Sequence, residues 1–169
     1  MDECMRGYYQ SVGTGAILFA VFRGKASEGI DFADEAARLV ITLGIPYPSA
    51  FDSKVVLKKN YNNLKSKIRD GKDNFTLTGS EWYSVQAFRA LNQAIGRCIR
   101  HRGDWGAMIM IDSRFETDSY SKGLCKWINT RRKHFINWSD LHYNLKQFVT
   151  KHNSNNIENE APKEIETIL

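Results

Sequence analysis

Three short, continuous apolar runs constrain this chain more than any other feature: residues 16–21 (Ala-Ile-Leu-Phe-Ala-Val), 39–43 (Leu-Val-Ile-Thr-Leu) and 107–111 (Ala-Met-Ile-Met-Ile). None alternates cleanly with polar residues, and each has strand length, so each suits a strand covered on both faces. Gly13 and Gly15 lead into the first run, while Pro46 and Pro48 close the second by withholding ladder donors. Two helical stretches, 52–68 and 80–100, separate the second run from the third, with the polar loop Asp70-Gly71-Lys72-Asp73-Asn74 between them. Strands buried on both sides and alternating with helices define an α/β layer around a parallel sheet. Beyond the third run, 120–132 and 138–152 are predicted helical, the latter with Trp138, Leu141, Leu145 and Phe148 along one side.

A chain of 169 residues, 42% of them hydrophobic, supports one core, assigned here to residues 1–152. Residues 153–169, rich in Asn and Glu, are expected to form a disordered acidic tail. There is no run of eighteen apolar residues and no apolar block near Met1, so the chain reads as soluble and intracellular, without a membrane partner. Cys4, Cys98 and Cys125 are widely spaced and never form C-x-x-C, which argues against a disulfide framework or a zinc knuckle. His101, His134, His142 and His152 form no H-E-x-x-H pair, so no metal ligand is assigned. The net charge of +5 hides an asymmetry: four Glu against one Lys in 153–169 leave +8 on residues 1–152. That surplus favours phosphate-bearing partners, although many basic proteins bind no nucleic acid.

Two segments concentrate chemistry. In the predicted helix 80–100, a step of about 100° per residue puts Phe88, Leu91, Ile95, Cys98 and Ile99 on one side and Arg89, Gln93, Gly96, Arg97 and Arg100 on the other. Most charged helix faces are simply solvated. Gly96, which costs about 1 kcal/mol inside a helix, suggests instead that another group approaches closely. The second segment is 23–32, Arg-Gly-Lys-Ala-Ser-Glu-Gly-Ile-Asp-Phe, directly after the first apolar run, where open α/β sheets bind ligands. Its glycines and serine can offer donors to phosphate, or it can be an ordinary strand-to-helix turn. Gly24-Lys25 does not end a phosphate loop, because Phe19 and Ala26 stand where Gly and Ser or Thr are required. Asp34-Glu35-Ala36-Ala37 imitates a magnesium-binding box, yet it comes after a loop and not a hydrophobic strand.

Residues 23–32 resemble motif V, and Gln93-Ala94-Ile95-Gly96-Arg97-Cys98-Ile99-Arg100-His101 resembles motif VI, of superfamily 2 DNA helicases of the xeroderma pigmentosum group D type. Ala90 through Gly106, and in addition Gly123 to Trp127, resemble most the Fanconi anaemia group J branch, with the telomere-elongation regulators close by. The likeness spans about 15–115 and, more loosely, reaches 151. It implies a RecA-like parallel sheet flanked by helices, the second of two motor domains, incomplete at its N-terminal end. It further implies a 5′ to 3′ unwinding motor in the nucleus, acting in DNA repair on single-stranded DNA and duplex junctions. ATP and Mg²⁺ would be held by a first motor domain, which would also carry a 4Fe-4S cluster. Arg97 and Arg100 would be the arginine fingers on the γ-phosphate, with Gln93 helping to position them as the third member of the catalytic set. Asp31, with Gly29 and Glu28, would serve the nucleotide, and Arg23, Lys25 and Ser27 the single-stranded DNA track. Alone, the chain would be inactive for want of a phosphate loop. The competing reading is a non-catalytic nucleic-acid-binding or scaffolding module, whereas a small nucleotide enzyme is disfavoured by the same missing loop.

Overall fold

The computed structural model describes residues 2–24, 32–68, 76–101, 103–155 and 166–168. The elements run α1 (Asp2–Ser11), β1 (Leu39–Leu43), α2 (Ser53–Ile68), α3 (Gly79–Ile95), β2 (Ala107–Ile111), α4 (Asp118–Ser121), α5 (Lys126–Asn129), β3 (Arg132–Lys133), α6 (Trp138–Asn155) and β4 (Glu166–Ile168). β1 and β2 pair in parallel, from Leu39 opposite Ala107 to Leu43 opposite Ile111. Parallel neighbours need a crossover, and α2 with α3 supplies it. Among the described residues the order is β1-β2-β4-β3, with each of these pairings parallel. No helix among the described residues is long and apolar enough to cross a membrane.

α3 starts where its sequence dictates. The Thr78 hydroxyl accepts from the Glu81 amide at 3.2 Å, and the Glu81 carboxylate accepts from the Thr78 amide at 2.7 Å, satisfying two donors that a helix start leaves open. The buried stripe of α3, Ala87, Phe88, Leu91 and Ile95, packs with Met108 and Met110 of β2 and with Phe115, Leu124 and Ile128. Period-two alternation turns Ala107 the other way, where it joins Trp105 and Phe148 of α6. On α6 the stripe that meets the sheet continues through Leu145 and Phe148 to the buried His152. Trp138, expected on that stripe, is exposed and stacks on His142.

Four expectations need correction. Residues 16–21 form no strand: they pair with no described neighbour, and Ile17, Phe19 and Val21 are 83%, 92% and 80% exposed. The helix predicted to Arg100 stops at Ile95. Gly96 is its C-cap, and the atoms nearest a Cβ there belong to its own last turn, not to an approaching group. The predicted helix 120–132 is split because α3 intercepts its backbone. The Asn92 side-chain amide donates to the Gly123 carbonyl at 3.1 Å, and its oxygen accepts from the Cys125 amide at 3.1 Å. Gly123 lies so close to the Phe88 ring that a Cβ would overlap it. Finally, the stretch 153–169 is not wholly outside the domain: α6 runs to Asn155, and β4 pairs with both β2 and β3.

Candidate functional site

The arginine-bearing segment is a loop and not a helix face. Once Gly96 caps α3, the amides of Arg97 and Cys98 close tight turns onto the Ala94 and Ile95 carbonyls at 3.2 Å each. The Cys98 side chain is fully buried and anchors the loop at its midpoint. Its thiol donates towards the Ala37 carbonyl at 3.3 Å, and it also lies 3.8 Å from that of Ala107. Burial, reinforced by the Asp104 charge and opposed by Arg38, pushes that thiol up to about 12. It therefore stays protonated and apolar, a plug and not a nucleophile. On either side of the plug, Arg97 is half-buried and Arg100 exposed, while Gln93 is exposed on the last turns of α3.

A buried carboxylate organises the rest of the loop. Asp104 Oδ1 accepts from Arg38 Nη1 at 2.8 Å and from the Trp105 amide at 2.9 Å. Its Oδ2 accepts from the Arg100 amide at 3.1 Å and from the Asp34 amide at 3.4 Å. Arg38 also donates to the Trp105 carbonyl at 2.8 Å and lies over the Trp105 ring, 4.5 Å from its centroid. His101 Nε2 sits 2.9 Å from Asp34 Oδ1. Asp34, His101 and Asp104 thus bring donor atoms within 4.8 Å of one another, as a metal site would. Both Asp104 oxygens are already occupied by four N–H donors, so the cluster acts as a staple and not as a cation cage.

Arg23 lies elsewhere. Its Nη2 donates to the Gln86 carbonyl at 2.8 Å and approaches that of Pro46 at 3.4 Å, just past the carboxyl end of β1. The Asp104 cluster sits before the amino ends of β1 and β2, so Arg23 and the Arg97–Arg100 pair occupy opposite edges of the sheet. Arg23 and Asp34 both have left-handed backbones, φ 61° and 54°, a conformation that disfavours side chains with a Cβ by about 1–2 kcal/mol. Lys25, Ser27, Glu28, Gly29 and Asp31 fall outside the described residues. What the structure does bring together is Asp34, two residues past the motif V stretch, and the motif VI loop.

Sequence reasoning missed Arg38 and Asp104 and set Asp34 aside as a false box. The available signal was an acidic residue between the arginine run and a strand too apolar to leave its approach unsatisfied. The guanidinium and amide donors of Arg97, Arg100 and Gln93 suit a phosphate polyanion and not a metal ion. Three cysteines, one of them buried as a plug, do not fit a four-cysteine cluster.

A small parallel sheet backed by helices is the architecture of a RecA-like α/β fold. The chain matches the family described as "Helicase C-terminal domain" over residues 1–131, and it belongs to that family. It is 46% identical over 157 residues to the Fanconi anemia group J protein homolog of Gallus gallus, covering 89% of this chain and 12% of that protein. It is 50% identical over 126 residues to the Regulator of telomere elongation helicase 1 homolog of Drosophila willistoni, covering 73% of this chain and 12% of the relative. The corresponding Drosophila grimshawi protein aligns over 98% of this chain at 40% identity, and over 17% of its own length. The chain therefore spans well under a fifth of the relatives it matches.

Proposed function

We propose that this chain is the second motor domain of an ATP-dependent 5′ to 3′ DNA helicase of the xeroderma pigmentosum group D type, nearest the Fanconi anaemia group J branch. It completes, from outside, a nucleotide site built on a first motor domain that supplies the phosphate loop, Mg²⁺ and the 4Fe-4S cluster. Arg97 and Arg100 reach the γ-phosphate, Gln93 positions them, and Asp31, Gly29 and Glu28 serve the nucleotide and its coupling to DNA. Arg23, Lys25 and Ser27 contact the phosphates of single-stranded DNA, up to its junction with duplex. The protein acts in the nucleus.

The observation that carries this reading is the loop 96–104, which holds two arginines apart on a buried thiol and a buried carboxylate. Charge spread over a transferring phosphoryl group is best met by planar, permanently charged donors held rigidly, and such donors are worth about 10³ to 10⁵ in rate. The relatives named as helicases and the +8 charge on residues 1–152 support the same reading.

The test is DNA-stimulated ATP hydrolysis by the full-length protein, with Arg97→Ala and Arg100→Ala expected to lower kcat by about 10³-fold or more. Activity retained in both variants rejects the finger role. The basic charge also favours a second reading, a nucleic-acid-binding module without turnover. A titration of the 169-residue chain with single-stranded DNA across a salt series addresses it, since phosphate contacts weaken steeply with salt whatever the base sequence.

A further inference from the structure

We infer that Asp104 is the positioning residue of the arginine loop: its buried carboxylate sets the backbone of Arg100 and ties it to the segment that ends at Asp34. This rests on the motor reading above. It adds a role for a residue that does not itself touch nucleotide.

The geometry is specific. One carboxylate, whose side chain is 0% exposed, joins two segments that are distant in sequence: the stretch holding Asp34 and Arg38, and its own neighbours Arg100 and Trp105. Each oxygen receives two donors, so no lone pair is spare and no donor can leave without a cost to the others. Arg38 balances the charge from the β1 side and is itself fixed by the Trp105 carbonyl and ring. The bond that matters most for turnover is the one from the Arg100 amide, because it fixes the Cα from which the guanidinium projects. The bond to the Asp34 amide then makes any shift at Asp34, two residues past the motif V stretch, felt at Arg100, and the Asp34–His101 contact repeats the link through side chains. A displacement of about 1 Å in such a group can cost on the order of 10²-fold in rate.

Asp104→Asn conserves volume but replaces one acceptor oxygen with a donor, so that either the Arg38 and Trp105 pair or the Arg100 and Asp34 pair faces an N–H. In the full-length protein we expect DNA-stimulated kcat to fall about 10- to 100-fold, with KM for ATP changed by less than about threefold. The deciding measurement is a double-mutant cycle with Arg100→Ala. If Asp104 acts through Arg100, then Asp104→Asn causes little further loss once Arg100 is gone. Losses that multiply, or a single Asp104→Asn variant with unchanged kcat, overturn the inference. Should Asp104→Asn not fold, Arg38→Lys enters the same cycle, because it loosens the carboxylate without removing it. A non-multiplying loss is again expected, and a multiplying one again overturns the inference. If Arg100→Ala alone leaves kcat intact, the finger reading fails first, which is a separate and recognisable outcome.

Discussion

β2 with its surroundings and the N-terminal stretch through residue 24 start from similar material. Ala107–Ile111 and the run 16–21 are both short, apolar and preceded by a glycine. In the first, Ala107 to Met110 are buried between α3 on one face and α6 on the other. In the second, alternate side chains stand in solvent and the backbone joins no ladder among the described residues. Apolar content therefore nominates a strand, but hydrogen-bond partners decide it, since an extended backbone is stable only where its N–H and C=O groups are paired or solvated. β2 has β1 and β4 beside it.

The largest contrast expected between the two regions is chemical. Cys98 lies under the start of β2 with its pKa raised from 9.0 to about 12, whereas Cys4 is exposed on α1. Iodoacetamide at pH 8, followed by mass spectrometry, should label Cys4 promptly. Cys98 should react about a thousandfold more slowly than in the unfolded chain, as a three-unit shift in the thiolate population requires. The linkage has a definite sign: the folded value exceeds the unfolded one, so the contribution is complete below about pH 9 and is lost as pH rises towards 12. Rapid labelling of Cys98 in the folded chain would mean that the loop plug is loose and the two regions are less different than described.

Next in size, Met108→Ala in β2 should lower stability to urea by about 2–5 kcal/mol, because it opens a cavity under α3. Gly123→Ala should cost about 1–3 kcal/mol, since the added methyl meets the Phe88 ring that holds α3 against β2. Phe19→Ala, despite deleting the largest side chain of the run 16–21, should change stability by no more than about 0.5 kcal/mol in the 169-residue chain. A Phe19→Ala loss comparable to that of Met108→Ala would break the comparison outright. A loss that emerges only in the full-length protein would sharpen it, locating the partner of that run in another part of the molecule.

Sequence alone determined the local and repetitive features. The apolar runs at 39–43 and 107–111, the helices near 53–68 and 79–95, and the Thr78–Glu81 start of α3 arise from periodicity and capping, which are properties of neighbouring residues. So does the family likeness of the arginine-bearing stretch, since motif residues are contiguous, although periodicity predicts a helix face there and the structure has a loop. Tertiary structure alone decided that 16–21 would find no ladder among the described residues, that Asn92 would cut one predicted helix into α4 and α5, and that β4 would enter the sheet between β2 and β3. It alone placed one buried carboxylate at Asp104 under Asp34, Arg38 and Arg100. The reason is common to all of these: each depends on a donor meeting an acceptor across a long stretch of chain, and no local pattern encodes which distant group will arrive.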